Sequence, residues 1–354
     1  MKPDEALALA TRAAPTFAAA ELCEAPIDGP NPVVTSATSR SVASLWAGMG
    51  SVEEIRAQTA EHGTITFVAK VIRLPQRCTS VGDQRKADSY DVEAAFYNGG
   101  HAAKLISAGC RVPRPLIVER GTPLVICMTK VPGRADLSMD ERQTGAALQW
   151  LARLHAAYWG HARADAAVAA GLQPQGSYWY LDTRADEHSR MPKSGWEGRL
   201  RLAARAIDEC LKADPFQTVV HGDAKEANML FEGGTVGMVD FQYCGKACFA
   251  KDLAYCLCCA SGVPEAEERL LQHYLADLTA QLSALGGQPP ALPQLQDALA
   301  LAYCDLGRWM SGWGWWGHDL RERIIRVLDR LDGGKALPNE EAYSSAVRRE
   351  FPIP

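Results

Sequence analysis

The sequence predicts an α+β protein of two lobes, a small antiparallel sheet followed by a larger, mostly helical lobe. Three observations carry that expectation. Short strand-like pieces crowd the stretch from Val33 to Ile72. A Pro-Gly break at Pro132-Gly133 closes the region that holds them. Beyond it, apolar residues recur at helical spacing, most strongly from Glu141 to Trp159. A chain of 354 residues has room for about two such bodies, each with its own core.

Taken in order, residues 1–24 are alanine-rich with a helical pattern, a lead-in helix before the chain is broken by Pro26, Gly29, Pro30 and Pro32. Residues 25–130 then form the first lobe. Its strands are expected at Ser41 to Trp46, Val52 to Gln58 and Thr64 to Ile72, with His62-Gly63 turning the chain before the last. In F-V-A-K-V-I, a period of two puts Val68, Lys70 and Ile72 on one face. A lysine between two aliphatic residues on a half-buried face needs a partner. The following helix, Ser89 to Tyr97, offers Glu93 at the edge of the stripe formed by Val92 and Phe96. R-V-P-R-P, Arg111 to Pro115, forces an extended connection, and Pro123 to Gly133 is a strand ending in the break. Residues 131–354 form the second lobe, helical to about Asp332 and closing in an ordered polar tail.

The most informative stretch of the second lobe runs from Val219 to Phe241. His221-Gly222-Asp223 interrupts an apolar run, and Gly233-Gly234 separates Met229-Leu230-Phe231 from Val236-Gly237-Met238-Val239, the pattern of a hairpin. With a three-residue loop Asn228 stands opposite Asp240; with a two-residue loop it is one position out. Either way two oxygen-bearing side chains meet at the open end of one hairpin. Such a pair suits Mg²⁺, which takes one or two protein oxygens and completes its shell with water and substrate phosphates. Asp223 stands upstream as a proton acceptor for a hydroxyl, and Lys225 two residues on could neutralise a phosphoryl group. Base, metal ligand, metal ligand is the protein kinase-like order.

H-G-D-A-K-E-A-N followed by V-D-F-Q resembles the aminoglycoside phosphotransferase and choline kinase superfamily, in particular its ecdysteroid kinase-like (CHK kinase-like) branch. The resemblance extends from about Trp46 to Gly317 and includes L-A-R-L-H-A, Q-R-K-A-D-S-Y-D-V-E and G-S-Y-W-Y-L-D-T-R. It implies a protein kinase-like two-lobed fold and transfer of the γ-phosphoryl group of ATP to a small-molecule alcohol. It also implies Asp223 as base and Asn228 and Asp240 as Mg²⁺ ligands. Insect members usually carry an aromatic residue where this chain has Lys225, so the acceptor is not carried over. In the first lobe, Lys70 paired with Glu93 would hold the α- and β-phosphates. A-G-M-G-S, with Gly48 and Gly50, is the best candidate for a loop whose amides cover the phosphates, and T-S-A-T-S-R-S, Thr35 to Ser41, competes for that role. Backbone groups near Met128 to Lys130 would read the adenine edge. Asp252 either caps its own helix or braces the catalytic loop, and His155 reads as a packing histidine. Trp309, Trp313 and Trp316, spaced i, i+4 and i+7, are either core or a wall of the acceptor pocket.

Bulk properties exclude several classes. The net charge of −5 and the lack of a basic block argue against a nucleic-acid partner. No apolar run reaches the roughly twenty residues of a membrane span. Eleven scattered cysteines read as reduced thiols in the cytoplasm, and those from Cys244 to Cys259 as small buried hydrophobes rather than zinc ligands. Two rival functions fit part of the pattern: a metal-dependent hydrolase built on H-G-D, and a non-catalytic kinase-like nucleotide-binding module. Oligomeric state leaves no mark in the sequence.

Overall fold

The structure is a computed structural model that describes residues 1–22, 32–60, 62–75, 77–78, 80–260 and 263–353. The expected break at Pro26, Gly29 and Pro30, and Cys23, lie outside the described residues. The chain divides into two compact units, Met1–Ile106 with Arg111–Val131, and Ser107–Cys110 with Pro132–Pro354.

The first unit contains α1 (Pro3–Leu22), β1 (Val34–Ser44), β2 (Gly50–Thr59), β3 (Gly63–Ile72), α2 (Val81–Asn98), α3 (His101–Ser107), β4 (Pro115–Glu119) and β5 (Leu124–Thr129). Its five strands form one antiparallel sheet in the order β1-β2-β3-β5-β4. Strand periodicity decides what each face does. Ile55, Ala57, Ile65, Phe67 and Ala69 are buried against Leu9, Ala10, Ala13 and Ala14 of α1, whose small side chains let the helix lie close to the sheet. Val68, Lys70 and Ile72 fall on the opposite face, as the period-two reading of β3 requires. The first strand begins well before its expected start at Ser41. Thr35 to Ser41 is therefore strand and not a loop, an edge strand whose mostly exposed Ser and Thr side chains mimic a linker in the sequence. The helix expected at Ser89 starts earlier too, where the Ser80 side chain caps it by accepting the Asp83 N–H.

The second unit is mostly helical: α4 (Glu141–Ala157), α5 (His161–Ala169), α6 (Ala185–Arg190) and α7 (Gly195–Ala213), then α8 (Ala250–Cys259), α9 (Val263–Leu285), α10 (Leu292–Trp313), α11 (Arg321–Asp332) and α12 (Glu340–Glu350). Between α7 and α8 lie β6 (Gln217–Val220), β7 (Met229–Glu232), β8 (Thr235–Met238) and β9 (Gly245–Cys248), paired as β6 with β9 and β7 with β8. α4 is the central support. Asp140 and Gln143 close a reciprocal cap at its start. Its buried Leu148, Leu151 and Leu154 each contribute roughly 2 kcal/mol by leaving water. The tail expected after Asp332 contains α12, capped by Asn339 and anchored by buried Tyr343, Ala346 and Val347. Cys244, Cys248, Cys256 and Cys258 are buried and Cys259 is half-buried. No helix among the described residues is long and apolar enough to cross a membrane.

Candidate active site

β6 delivers the chain to a loop whose shape is set by one buried carboxylate. Asp252, in the first turn of α8, accepts the His221 N–H on Oδ2 at 2.6 Å and the Gly222 N–H on Oδ1 at 2.9 Å. Of the two roles the sequence left open for Asp252, it braces the loop. Its Oδ2 lies 3.3 Å from His155 Nε2, whose Nδ1 is 2.8 Å from the Tyr274 hydroxyl. His155 is fully buried, packed between Asp252 and Tyr274. Gly222 has φ of 81°, and a Cβ there would come within 2.1 Å of the Tyr243 carbonyl oxygen and 2.8 Å of Ser177 N. Only glycine fits that crossing. The His221 tautomer follows from its neighbours: Nδ1 accepts the Asp223 N–H at 3.3 Å, so Nε2 carries the proton and donates to the Val239 carbonyl at 3.1 Å. The His221 ring packs 4.9 Å from Phe241 and 6.2 Å from Trp150, centroid to centroid.

Asp223 emerges from this brace almost completely buried. Its Oδ2 accepts from Lys225 Nζ and from Asn228 Nδ2, each at 3.0 Å. Asn228 Nδ2 also donates to the Asp223 carbonyl at 2.9 Å, which leaves the amide oxygen of Asn228 for another partner. Asp223 Oδ1 is buried and has no hydrogen-bond partner among the described residues. A buried carboxylate oxygen without a donor is costly, so this atom is built for something that arrives. In the hairpin, Met229 pairs with Met238 and Glu232 with Thr235, giving a two-residue Gly233-Gly234 turn. Asn228 therefore faces Val239, whose N–H it accepts at 3.1 Å, and Asp240 is one position out. Asp240 takes φ of 71°, a left-handed backbone rare outside glycine.

The electrostatics follow from burial. Desolvation pushes the Asp223 carboxyl up and the charge of Asp240 adds to it, against the pull of Lys225; the net shift is upward. Burial lowers Lys225, but Asp223 and Asp240 outweigh it and hold the ammonium above its ordinary value. Lys225 thus stays charged beside the carboxylate and opposes its upward shift. Among the described residues no three His, Cys, Asp or Glu side chains gather as a metal cage. Asn228 and Asp240 instead offer two hard oxygen donors, the complement expected for a cation that arrives already bound to phosphate oxygens.

In the first unit, Lys70 Nζ donates to Glu93 Oε1 at 2.7 Å and Oε2 at 2.9 Å, and Glu93 is fully buried. Trp46–Gly48 forms a single 3₁₀ turn between β1 and β2, with Gly48 at φ of 70° and Gly50 at 134°. A Cβ on Gly50 would lie 2.0 Å from the Val71 carbonyl oxygen; one on Gly48 would meet nothing within 4 Å. Two amides of this loop are already used, Met49 N–H by Trp46 and Leu45 N–H by Gly50. Met128 lies inside the ladder, paired with Val68 and Pro115, and its sulfur accepts from the Tyr97 hydroxyl at 3.4 Å. The Thr129 N–H donates to the Arg114 carbonyl at 2.9 Å. Lys130 follows the strand, with its ammonium 2.6 Å from buried Glu54.

A family model described as the phosphotransferase enzyme family matches residues 77–287, more than half of the chain. The chain belongs to this family. Three solved structures show the range of similar proteins. A macrolide 2'-phosphotransferase, MphH from Brachybacterium faecium, is 16% identical, with 99% of this chain and 97% of that chain covered at a TM-score of 0.49. A choline/ethanolamine kinase family protein from Mesorhizobium loti is 16% identical over 94% and 98%, at 0.46. An aminoglycoside-3'-phosphotransferase of type VIII is 19% identical over 77% and 93%, at 0.47. No curated protein matches the sequence.

Within this phosphotransferase, the helical unit brings together Asp223, Lys225, Asn228 and Asp240, and the sheet unit pairs Lys70 with Glu93. The tryptophans follow a different plan from the one their spacing suggests. α10 ends at Trp313, so only Trp309 and Trp313 share its helix, yet Trp316 still packs 5.9 Å from Trp309. Two glycines inside this helix have packing reasons: Cβ atoms at Gly307 and Gly312 would strike Ile324 and the Glu187 backbone. Sequence reasoning missed Tyr178, Tyr255 and Arg184 as neighbours of the loop. Tyr178 and Tyr255 share a hydroxyl contact of 2.7 Å, and burial, then the Asp223 charge, holds both phenols above their ordinary range. The signal for Tyr178 and Arg184 was the aromatic density of G-S-Y-W-Y-L-D-T-R, which carries no period that assigns it to a site; Tyr255 lies in K-D-L-A-Y-C-L of α8.

Proposed function

We propose that this phosphotransferase moves the γ-phosphoryl group of ATP to a hydroxyl of a small-molecule alcohol, with Asp223 as the base. Asp223 Oδ1, buried and without a donor while Oδ2 is pinned by Lys225 and Asn228, is the observation that carries this reading. A hydroxyl is the natural partner for that atom. Asp223 orients the alcohol through Oδ1 and takes its proton as the oxygen attacks the γ-phosphorus and the bond to the β,γ-bridging oxygen breaks, releasing ADP; the proton ends on the carboxylate, whose raised affinity for it suits the task. Lys225 restrains the base and offsets negative charge at the transferring group. Asn228 and Asp240 would hold Mg²⁺, and Mg²⁺-ATP supplies the electrophilic phosphoryl group with its charge partly neutralised. Lys70, kept in one rotamer by both oxygens of Glu93, would bind the α- and β-phosphates. The loop carrying Gly48 and Gly50 would lie over the phosphates, and backbone groups around Met128 and Lys130 would meet the adenine. Residues 25–130 and 131–354 then act as nucleotide and acceptor lobes of a cytoplasmic enzyme, and H-G-D-A-K-E-A-N supports its assignment to the ecdysteroid kinase-like branch.

The test is a panel of sterol-like, amino-alcohol and sugar acceptors incubated with Mg²⁺-ATP, with products read by mass spectrometry. A mass gain of one phosphate on an acceptor, absent with Asp223→Asn, is expected. ATP hydrolysis without any phosphorylated acceptor would favour a hydrolase, and no ATP consumption a binding module.

A further inference from the structure

The aromatic cluster beside the loop is already filled by a cation of the chain itself. The Arg184 guanidinium carbon lies 5.2 Å from the Tyr178 ring centroid, 5.4 Å from Trp309 and 5.7 Å from Trp313. Three ring faces around one positive charge form the arrangement by which proteins capture quaternary ammonium ligands, through the negative face of each ring. Here the guanidinium is fastened in place: Nε donates to the Tyr178 carbonyl at 2.8 Å and Nη1 to Glu187 Oε1 at 3.1 Å, and Arg184 is only 5% exposed. The cluster abuts the base. Ser177 N lies where a Gly222 side chain would be, Tyr178 is the next residue, and its ring packs 5.0 Å from Tyr243 and 5.1 Å from Trp309. Trp313, 53% exposed, opens the cluster to solvent.

Resting on the phosphotransfer reading of Asp223, we propose that Arg184 occupies the cation position of this cage, so that the acceptor is an uncharged alcohol with an apolar or aromatic body and not an alkylammonium alcohol. An ammonium entering here meets ring faces already taken by a guanidinium that Glu187 holds in place. Asp223 would attract a cation, but Lys225 is its partner. A neutral acceptor loses nothing to either charge and stacks on the exposed ring of Trp313.

The experiment compares choline with 3,3-dimethylbutan-1-ol, its uncharged isostere, in binding titrations followed by tryptophan fluorescence and calorimetry, without nucleotide. Wild type is expected to bind the neutral alcohol at least tenfold more tightly than choline. Arg184→Ala, which empties the cage, is expected to gain at least tenfold in choline affinity and reverse the order. Arg184→Met, which removes the charge but fills the space, should gain less and serves if the alanine variant does not fold. Choline bound by wild type as tightly as its isostere, or no gain in choline affinity in either folded variant, would overturn the proposal. If wild type binds neither alcohol, gain or absence of choline binding in the variants decides it. Because no ATP is present, a cage that behaves as expected in a protein that phosphorylates nothing would indict the assigned reaction, not the cage.

Discussion

At the scale of single residues, the site is a set of constraints converging on one oxygen. Asp252 fixes two loop amides, His221 is held as the Nε2–H tautomer, and Lys225 and Asn228 occupy Asp223 Oδ2. What remains is Oδ1. The charge balance gives a pH prediction with a definite sign. In the proposed role Asp223 works only when unprotonated, so kcat/KM is expected to fall on the acid side as the carboxylate takes up its proton. Burial raises that carboxyl and Lys225 opposes the rise. Lys225→Ala removes the opposing charge, so the acid limb of the kcat/KM profile should move to higher pH, by about one unit for each 1.4 kcal/mol of lost interaction. An unmoved or downward-shifted limb would show that Lys225 does not act on Asp223. The pair Asn228 and Asp240 was legible because two glycines between apolar runs announce a hairpin, whatever its loop length. The positive φ of Asp240 was not, since aspartate reaches that region only when its surroundings demand it.

At the scale of elements, glycine positions separate packing from conformation. Gly50 is needed for both: its φ is positive and a Cβ would collide with the Val71 carbonyl. Gly48 needs only the φ. Gly50→Ala should therefore destabilise the sheet unit by roughly 2–4 kcal/mol, and Gly48→Ala by about 1–2 kcal/mol. Denaturant midpoints measure both, and equal losses would contradict the close approach of the loop to β3. The elements read well from sequence were those with a clean period: β3 with Lys70 on its face, and α4 with its leucines. β1 was cut short because an exposed edge strand of Ser and Thr has no apolar alternation to display. α12 was read as tail because only Tyr343, Ala346 and Val347 are buried and its other positions are polar. The cage around Arg184 escaped entirely. It joins a 3₁₀ turn to the end of α10, and contacts between such distant segments leave no local pattern.

At the scale of the whole molecule, each of the two units brings together its own set of proposed site residues. The sheet unit holds a lysine locked to a buried glutamate, and the helical unit holds the carboxylate, amide and aspartate of the loop and hairpin. Membership of the phosphotransferase enzyme family, established over residues 77–287, embraces most of these residues but leaves Lys70 and the glycine-bearing loop before its start. Asp223 is proposed to serve transfer and not nucleotide binding. Single-turnover phosphoryl transfer from Mg²⁺-ATP, with nucleotide affinity measured in parallel, tests it most directly. For Asp223→Asn the account predicts a rate lower by about 10²–10⁴-fold with ATP affinity within about threefold of wild type. Transfer at the wild-type rate, or a loss explained wholly by weaker ATP binding, would contradict it.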